Sequence, residues 1–405
     1  MFYIFNYALE LDINMWITIV MYLIYVSLGL PDSLLGSGWP VMQYDFGVPS
    51  SYAGYVFMTI SFMTIISSLL SPTLIKHIHT KWIIVISIFL TVMGIFGFSC
   101  SKHYSTLILL AIPYGLGAGA VDAAVNHYVA NNFSGAVMNY LHCFYGVGAI
   151  ISPNIMALAL KKETWHEGYR WTSFIQMGIL LICIISLPLW NKNKAEADDE
   201  GNTPASIKET LFVPGVIFTL IAFFAYCSGE ATCFVWTSSY FAETKTGLSE
   251  GTIASFGSLV FFGLMVGRII SGLVTNKFGD RILIRCGIIL EMIGIGLVAI
   301  PGVTFMVAAV GFVLIGTGMG PVFPGIQHMA PINFHKKYSA AVIGMQMAAA
   351  YTGSTFMPMI FGLIQEKVGI GIMTGYLLIF ALINVSFLEM TYSVIRKKGD
   401  IDKNV

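Results

Sequence analysis

The chain has 405 residues, of which 56% are hydrophobic and only 10% are charged. Because soluble domains usually carry about 25% charged residues, this composition excludes a soluble domain with a single anchor and predicts an integral membrane protein. The formal net charge is zero, with 21 basic and 21 acidic residues, and gives no basis for nucleic-acid binding. All six cysteines fall in or beside apolar runs and none forms a CxxC pair, so we expect neither a disulfide framework nor a metal site.

Long apolar segments recur along the whole chain. A helix that crosses a bilayer needs about 20 mostly apolar residues. Twelve segments meet this requirement, which predicts an all-α membrane protein with twelve transmembrane helices. They cover approximately 15–42, 51–74, 82–100, 104–130, 139–160, 171–190, 211–241, 251–275, 282–300, 304–330, 339–364 and 371–394.

One polar segment interrupts this series. Residues 191–210 read NKNKAEADDEGNTPASIKET, with a glycine and a proline as linkers often have. We therefore predict a cytoplasmic linker between an N-terminal six-helix bundle over 1–190 and a C-terminal six-helix bundle over 211–405. With both termini in the cytoplasm, fourteen Lys and Arg residues fall in cytoplasmic segments and six in outside segments. Basic residues favour the cytoplasmic side, so this is the orientation expected in the cell membrane.

The two halves show a faint internal repeat. An acid followed by a tryptophan, a glycine pair followed by an amide and a histidine, and a glycine followed by a proline occur in the same order in both halves. The first half has Asp32, Trp39, Gly117, Gly119, Asn126, His127, Gly148 and Pro153, and the second has Glu230, Trp236, Gly318, Gly320, Gln327, His328, Gly353 and Pro358. The repeat indicates two pseudo-symmetric six-helix units, a plan in which transporters hold their substrate near the membrane midplane.

Three carboxylates lie within the apolar segments: Asp32, Asp122 and Glu230. A charged side chain near the bilayer centre costs roughly 3 kcal/mol, so such residues usually have a function. An apolar environment favours the protonated form of a carboxyl group, and a group that binds and releases a proton can couple transport to a proton gradient. We expect all three acids to take part in proton coupling and Asp32 also to bind solute. The alternative for each is a structural hydrogen bond between helices.

Several polar and aromatic side chains in the spans are candidates for solute binding. Asn126 follows Asp122 by four residues and projects from the same helix face. Tryptophan rings offer flat surfaces to the apolar faces of a sugar, and amides, histidines and tyrosine offer hydrogen bonds. The candidates besides Asp32 are Trp39, Asn126, His142, Trp236, Gln327, His328, Gln346 and Tyr351. Interhelical hydrogen bonding is the alternative role for the polar members.

The segment that follows the eighth predicted span is GLVTNKFGDR, residues 272–281. Charges at a cytoplasmic helix end can form salt bridges that differ between states, and a glycine permits close packing. We interpret Arg268, Gly272, Asp280 and Arg281 as gate elements. The alternative is that the basic residues only set the topology.

With these features the chain resembles the major facilitator superfamily over essentially its full length. The resemblance rests on the twelve spans, the central linker and the GLVTNKFGDR segment, which is similar to the superfamily's loop signature. The segment has Asn276 where an acid is usual, and the N-terminal copy, LIKHIHTKW, is more degenerate.

Within the superfamily the chain is most similar to the fucose–proton symporter family. That family has an acid in a D-x-L-L context in its first span, matched here by Asp32. Its fourth span has a glycine-rich run, an acid and an asparagine four residues later, matched by Asp122 and Asn126, although the family usually has Glu at the first of these positions. The resemblance implies uptake of a hexose or related sugar with protons, with the acids as ligands of proton and sugar.

We therefore expect a secondary transporter, not an enzyme, that works as a monomer by alternating access without a cofactor or metal. Its partners are a small solute, protons and the lipid bilayer. An exporter of drugs or small amphiphilic solutes and a sodium-coupled symporter are the alternatives, since fold does not decide function. A sensor is disfavoured because the linker and the short tail leave no room for a cytoplasmic domain. An embedded enzyme is disfavoured because the sequence has no HExxH or nucleophile motif.

Overall fold

The structure, a computed structural model, describes residues 2–32, 34–49, 52–162, 164–190, 205–248, 252 and 256–402. Across these ranges the chain is helical and forms no strand. Twelve of the described helical segments are long and apolar enough to cross a membrane. The predicted all-α fold with twelve spans is confirmed.

Seven described helices precede the linker. The first two together provide the first candidate span, Met15–Trp39. The seven are α1 Phe2–Asp32, α2 Leu34–Phe46, α3 Tyr52–His77, α4 Thr80–Cys100, α5 Tyr104–Asn132, α6 Gly135–Lys162 and α7 Trp165–Trp190.

The second half differs from the predicted spans in two details. The seventh predicted span starts too early, because Gly215 in the left-handed conformation (φ 93°) begins the helix only at Val216. The tenth, predicted as one helix over 304–330, is divided near Pro321, which lacks the N–H that a continuous helix requires. The helices are α8 Ile207–Leu211, α9 Val216–Thr244, α10 Leu259–Phe278, α11 Asp280–Ala299, α12 Phe305–Met319, α13 Val322–His328, α14 Ala330–Phe334, α15 Lys336–Val368 and α16 Met373–Asp402, with a 3₁₀ turn at Ile370–Ile372.

The predicted linker over 191–210 lies outside the described residues up to position 204. Its last part is helical. Ser206 caps α8, because its hydroxyl accepts a hydrogen bond from the Glu209 backbone N–H at 3.2 Å. The Glu209 carboxylate binds the Lys337 ammonium group at 2.8 Å. This end of the linker is thereby held against the start of α15.

The chain divides into two compact units. The first consists of Met1–Tyr128 and Tyr140–Pro204, and the second of Val129–Asn139 and Ala205–Val405. The second unit therefore includes the short connection between α5 and α6. The predicted bundle limits of 1–190 and 211–405 stay a prediction.

The first unit has a hydrophobic core that includes Trp39, Phe98 and Trp165. Gly29 lies at a close helix contact, because an added Cβ would lie 2.9 Å from the Ala149 backbone nitrogen of α6. At Gly36, by contrast, no atom of the described residues lies within 4 Å of such a Cβ.

Candidate solute and proton site

Asp32 is the last residue of α1, one residue after Pro31. Its Oδ2 accepts a hydrogen bond from the Tyr145 hydroxyl at 2.6 Å, and its Oδ1 accepts one from the Tyr114 hydroxyl at 3.1 Å. Asp32 is also exposed at the surface of the described residues. Its two described partners are hydroxyl groups that donate to the carboxylate.

Glycines bring Asp32 close to Tyr145. A Cβ on Gly29 would lie 3.0 Å from the carbonyl carbon of Tyr145, and a Cβ on Gly148 would lie 3.0 Å from the backbone nitrogen of Leu30. The backbones of α1 and α6 are thus in direct contact, as small residues permit in membrane helices. Asp32 lies one turn after Gly29, and Tyr145 lies one turn before Gly148. The glycine contact therefore sets the distance between the acid and the phenol.

Asp122 is buried in α5, with 8% of its surface exposed. Its Oδ1 accepts hydrogen bonds from the Tyr25 hydroxyl at 2.8 Å and from the Asn126 side-chain amide at 2.9 Å. The Asn126 side-chain oxygen faces Nε2 of His142 at 3.2 Å. Since that oxygen only accepts hydrogen bonds, Nε2 of His142 carries a proton. This chain of side chains joins α1, α5 and α6 around the buried acid.

Asp32 and Asp122 are related by a reciprocal pattern. Tyr25 precedes Asp32 by seven residues in α1, and Tyr114 precedes Asp122 by eight in α5, about two helical turns in each case. The tyrosine of each helix donates to the acid of the other, which requires that the two helices run in opposite directions. The two acids are therefore linked through one tyrosine from each helix and lie about two helical turns apart along the helix pair.

The other solute candidates of the first half occupy different positions. Asn126 and His142 belong to the network around Asp122. Trp39 instead lies in the hydrophobic core, with 6% of its surface exposed and its ring edge-on to Tyr104 at 6.3 Å between centroids. Its ring is covered in this structure, so its stacking against a solute stays a prediction.

In the second unit Glu230 accepts a hydrogen bond from the Tyr226 hydroxyl at 2.7 Å. An Nη2 atom of Arg268 lies 3.6 Å from the same carboxylate oxygen. The predicted gate residue Arg268 is therefore the counter-ion of a predicted proton-coupling residue. This pair has no equivalent at Asp32, whose described partners are neutral hydroxyl groups.

The aromatic candidates of the second half are Trp236 on α9 and Tyr351 on α15. The Trp236 indole N–H donates to the Pro358 carbonyl at 3.0 Å, and its ring is edge-on to Phe361. Tyr351 is half-buried in α15. Both side chains retain some exposure, and their contact with solute stays a prediction.

The candidates Gln327 and Gln346 are fully buried. The Gln327 amide contacts the Met347 sulfur at 3.1 Å, and the Gln346 amide donates to the Thr219 hydroxyl at 3.0 Å. Neither side-chain oxygen has a hydrogen-bond partner among the described residues. These bonds match the alternative role that the sequence left open, namely hydrogen bonding between helices.

The remaining gate candidates lie at the end of α10 and the start of α11, where Gly272 is buried. Asp280 lies 2.6 Å from Nδ1 of His328, and Nε2 of His328 lies 2.9 Å from the Phe133 carbonyl. Because both ring nitrogens face acceptors, a doubly protonated ring satisfies both contacts. Arg281 donates to the Asn333 side chain at 3.0 Å. Thus His328, a solute candidate, is bound to the gate candidate Asp280.

No group of three or more His, Cys, Asp or Glu side chains that would suit a metal ion occurs among the described residues. A cavity of about 580 Å³ in the second unit is lined by Tyr240, Lys245 and the segment 298–305, among others. None of the residues proposed for solute, proton or gate lines it. The candidate site is therefore defined by the acids and their hydrogen bonds.

A family model described as Major Facilitator Superfamily matches residues 21–358. The chain belongs to the Major Facilitator Superfamily. It is thus a multi-pass membrane transporter and not an enzyme, as the sequence predicted.

The relatives that match this chain are distant in sequence. "Bypass of stop codon protein 6" of Saccharomyces cerevisiae is 22% identical over 385 residues, which cover 86% of this chain and 76% of the yeast protein. The glucose/mannose transporter GlcP of Bacillus subtilis is 22% identical over 311 residues, covering 73% of this chain and 74% of that protein.

Among solved structures, the E. coli fucose:proton symporter FucP matches with a TM-score of 0.73 and 17% identity. The match covers 94% of this chain and 98% of that one. At this identity the likeness establishes the fold alone, and it confirms the superfamily fold that the sequence predicted.

The tyrosines that donate hydrogen bonds to the three acids were not predicted from the sequence. Tyr25, Tyr114, Tyr145 and Tyr226 each donate to one of the three acids. A signal was available, because Tyr25, Tyr114 and Tyr226 lie one or two turns from an acid on their own helix. Glu291 is a further acid within the spans that was not among the candidates, and it is buried.

Proposed function

We propose that this chain takes up a hexose or related sugar together with protons by alternating access. The observation that carries the proposal is the linked pair of acids in the first unit. Asp32 is accessible and surrounded by hydroxyl donors, whereas Asp122 is buried in a network of its own. The two acids thus offer one position that solute can reach and one that is shielded from water.

Asp32 is the proposed ligand of the solute. Its described hydrogen-bond partners, Tyr114 and Tyr145, are both hydroxyl groups. A sugar hydroxyl has the same chemistry and can replace or join a phenol as donor to this carboxylate. Net hydrogen bonds to charged groups contribute about 1.5–3 kcal/mol each, which is enough for recognition of a polar solute.

Asp122 is the proposed carrier of the proton. Its side chain is buried, and its carboxylate accepts hydrogen bonds from Tyr25 and Asn126. One proton that crosses 100 mV supplies roughly 2.3 kcal/mol. That energy supports about fifty-fold accumulation of a neutral solute.

The named functions of relatives support the choice of solute. One relative is named a glucose/mannose transporter, and one structure with the same fold is a fucose:proton symporter. For this chain we infer a neutral sugar as solute and a proton as coupling ion.

Uptake into proteoliposomes tests the proposal. Labelled hexoses are offered one at a time under an inward proton gradient, an inward sodium gradient or no gradient. We expect at least one hexose to accumulate with the proton gradient and only to equilibrate with the sodium gradient. If the hexose accumulates with the sodium gradient instead, sodium and not the proton is the coupling ion. If no sugar is taken up and amphiphilic drugs move outward, the chain is an exporter.

We further propose that the protein works as a monomer in the cell membrane. Both termini lie in the cytoplasm in this proposal, because the distribution of basic residues favours that orientation. Epitope tags at the two termini test the orientation. Antibody should reach both tags only after the membrane is permeabilised. Binding to either tag on intact cells contradicts this orientation.

A further inference from the structure

The cavity of about 580 Å³ in the second unit lies where several membrane helices end or begin. Thr244 is the last residue of α9 and Ala299 is the last of α11, whereas Phe305 is the first of α12 and Thr374 is in the first turn of α16. All four residues line the cavity. Because the helices cross the hydrocarbon layer, their ends lie at the level of the lipid head groups.

Two hydrogen bonds join the end of α9 to the other wall of this cavity. The Lys245 ammonium group donates to the Val303 carbonyl at 2.8 Å, and the Tyr240 hydroxyl donates to the Val298 carbonyl at 3.2 Å. Both acceptors lie on α11 or on its connection to α12. The bonds therefore hold Lys245 in place at the cavity wall.

Lys245 gives the cavity a positive charge. It is the only charged residue among the described residues that line the cavity. Within the part of the chain that the structure describes, no carboxylate lies within salt-bridge distance of its ammonium group. An ammonium group has three donors, and one of them binds Val303. The remaining donors and the unbalanced charge favour an anion as ligand.

Threonine hydroxyls add neutral donors to the same cavity. Thr246, Thr304 and Thr374 line it. The Thr304 oxygen accepts a hydrogen bond from the Val307 backbone N–H at 3.4 Å, so its own proton is left to donate elsewhere. An ammonium group surrounded by hydroxyl donors suits a group that only accepts hydrogen bonds, as the oxygens of a phosphate do.

Apolar side chains adjoin this polar cavity. Ile300 lines the cavity and is 48% exposed. Met306 and Val307 follow directly after the lining residue Phe305 and are also exposed. On a helix that crosses the membrane, exposed apolar side chains face the acyl chains of lipids. The combination of an anion site and an apolar surface suits a phospholipid better than free phosphate.

We propose that this cavity binds the phosphate head group of an anionic phospholipid. Lys245 is the counter-ion of the phosphate, and the threonine hydroxyls donate to its oxygens. The acyl chains lie against the start of α12. The proposal does not depend on the function proposed above, since none of the residues assigned to solute, proton or gate lines the cavity.

Native mass spectrometry of the purified protein in neutral detergent tests the proposal. The protein is titrated with phosphatidylglycerol, and the dissociation constant of the tightest bound lipid is measured. Lys245→Gln should weaken this binding about tenfold or more, because it removes a charged hydrogen-bond donor. Lys245→Arg keeps the charge and should bind like the wild type.

Lys367→Gln is the matched control. Lys367 is exposed in the last turn of α15, belongs to the same unit and does not line the cavity. Its substitution removes the same charge and should leave the tightest binding unchanged. If Lys367→Gln weakens binding as much as Lys245→Gln does, the lipid responds only to net charge and the proposed site is wrong.

Thr246→Val keeps Lys245 and its bond to Val303, so it tests the cavity even if Lys245→Gln does not fold. The loss of one hydroxyl donor should weaken binding about two- to tenfold. Binding equal to that of the wild type in both cavity variants overturns the proposal. Inorganic phosphate should not displace the lipid. Displacement that requires Lys245 would instead identify a site for free anions, and the assignment of a lipid would be wrong.

Discussion

Asp122→Asn tests whether this acid carries the proton, because the other residues of the solute site stay unchanged. In the structure one carboxylate oxygen of Asp122 accepts both side-chain hydrogen bonds, from Tyr25 at 2.8 Å and from Asn126 at 2.9 Å. An asparagine oxygen in the same place can accept both bonds, but the side chain cannot take up or release a proton. Hydrogen bonds to a charged group are about 1 kcal/mol stronger than neutral ones, so the loss of stability is about 2 kcal/mol for the two bonds. A domain with an unfolding free energy of about 5–15 kcal/mol retains its fold after such a loss.

The loss of transport is much larger and specific. The wild type should accumulate sugar about fifty-fold at 100 mV, and the variant should only equilibrate it. Exchange of labelled for unlabelled sugar without a gradient should persist, because the binding residue Asp32 is unchanged. Both are measured in the same proteoliposomes. Wild-type accumulation by Asp122→Asn would refute the reasoning.

Asp45→Asn is the matched control for this experiment. Asp45 belongs to the first unit and accepts a hydrogen bond from the Trp165 indole N–H at 2.6 Å. It has no link to the two site acids in our account, so this variant should accumulate sugar like the wild type. If both variants lose accumulation equally, the effect comes from a general loss of structure and the assignment of the proton to Asp122 loses its support.

Two further predictions concern Asp32 and the helix contact next to it. Tyr145→Phe should raise the KM for sugar about three- to tenfold, because a net hydrogen bond contributes about 0.5–1.5 kcal/mol. Tyr114→Phe should raise it less, because the hydroxyl of Tyr114 is farther from Asp32 than that of Tyr145 (3.1 Å against 2.6 Å). Equal uptake kinetics in both variants and the wild type would contradict a direct role of these hydroxyls. Gly148→Ala should destabilise the protein by about 1–3 kcal/mol, because the added Cβ would meet the α1 backbone. Gly54→Ala is the control. No atom of the described residues lies within 4 Å of the added Cβ, so thermal stability should stay equal or rise. A thermal-unfolding measurement on both variants checks this, and an equal effect of the two alanines would disprove the contact.

The fold was predictable because its main determinant is local. About 20 apolar residues suffice to mark a span, and twelve such segments stand clear of their polar connections. Pro321 lies within a long apolar run, so 304–330 was predicted as one helix in spite of the proline. The start of α9 at Val216 depends on the backbone conformation of Gly215, which the hydropathy pattern does not report.

The candidate site was predictable only in part, since acids inside spans are conspicuous but their partners are not. Asp32 binds hydroxyls from residues 82 and 113 positions away in the chain, and no local pattern reveals such pairs. The burial of Glu291 is likewise a result of packing, because its backbone lies against Gly318 of α12. Trp39 was predicted to face the solute but lies in the hydrophobic core. Its position in the helix does not tell the two environments apart.

The movement of protons together with the solute can be measured directly. Proteoliposomes without any imposed gradient are placed in weakly buffered medium, and the external pH is recorded when the transported sugar is added. The medium should become more alkaline as sugar enters, and Asp122→Asn should abolish this change while sugar still equilibrates. Sugar entry by the wild type without any change of pH would contradict it.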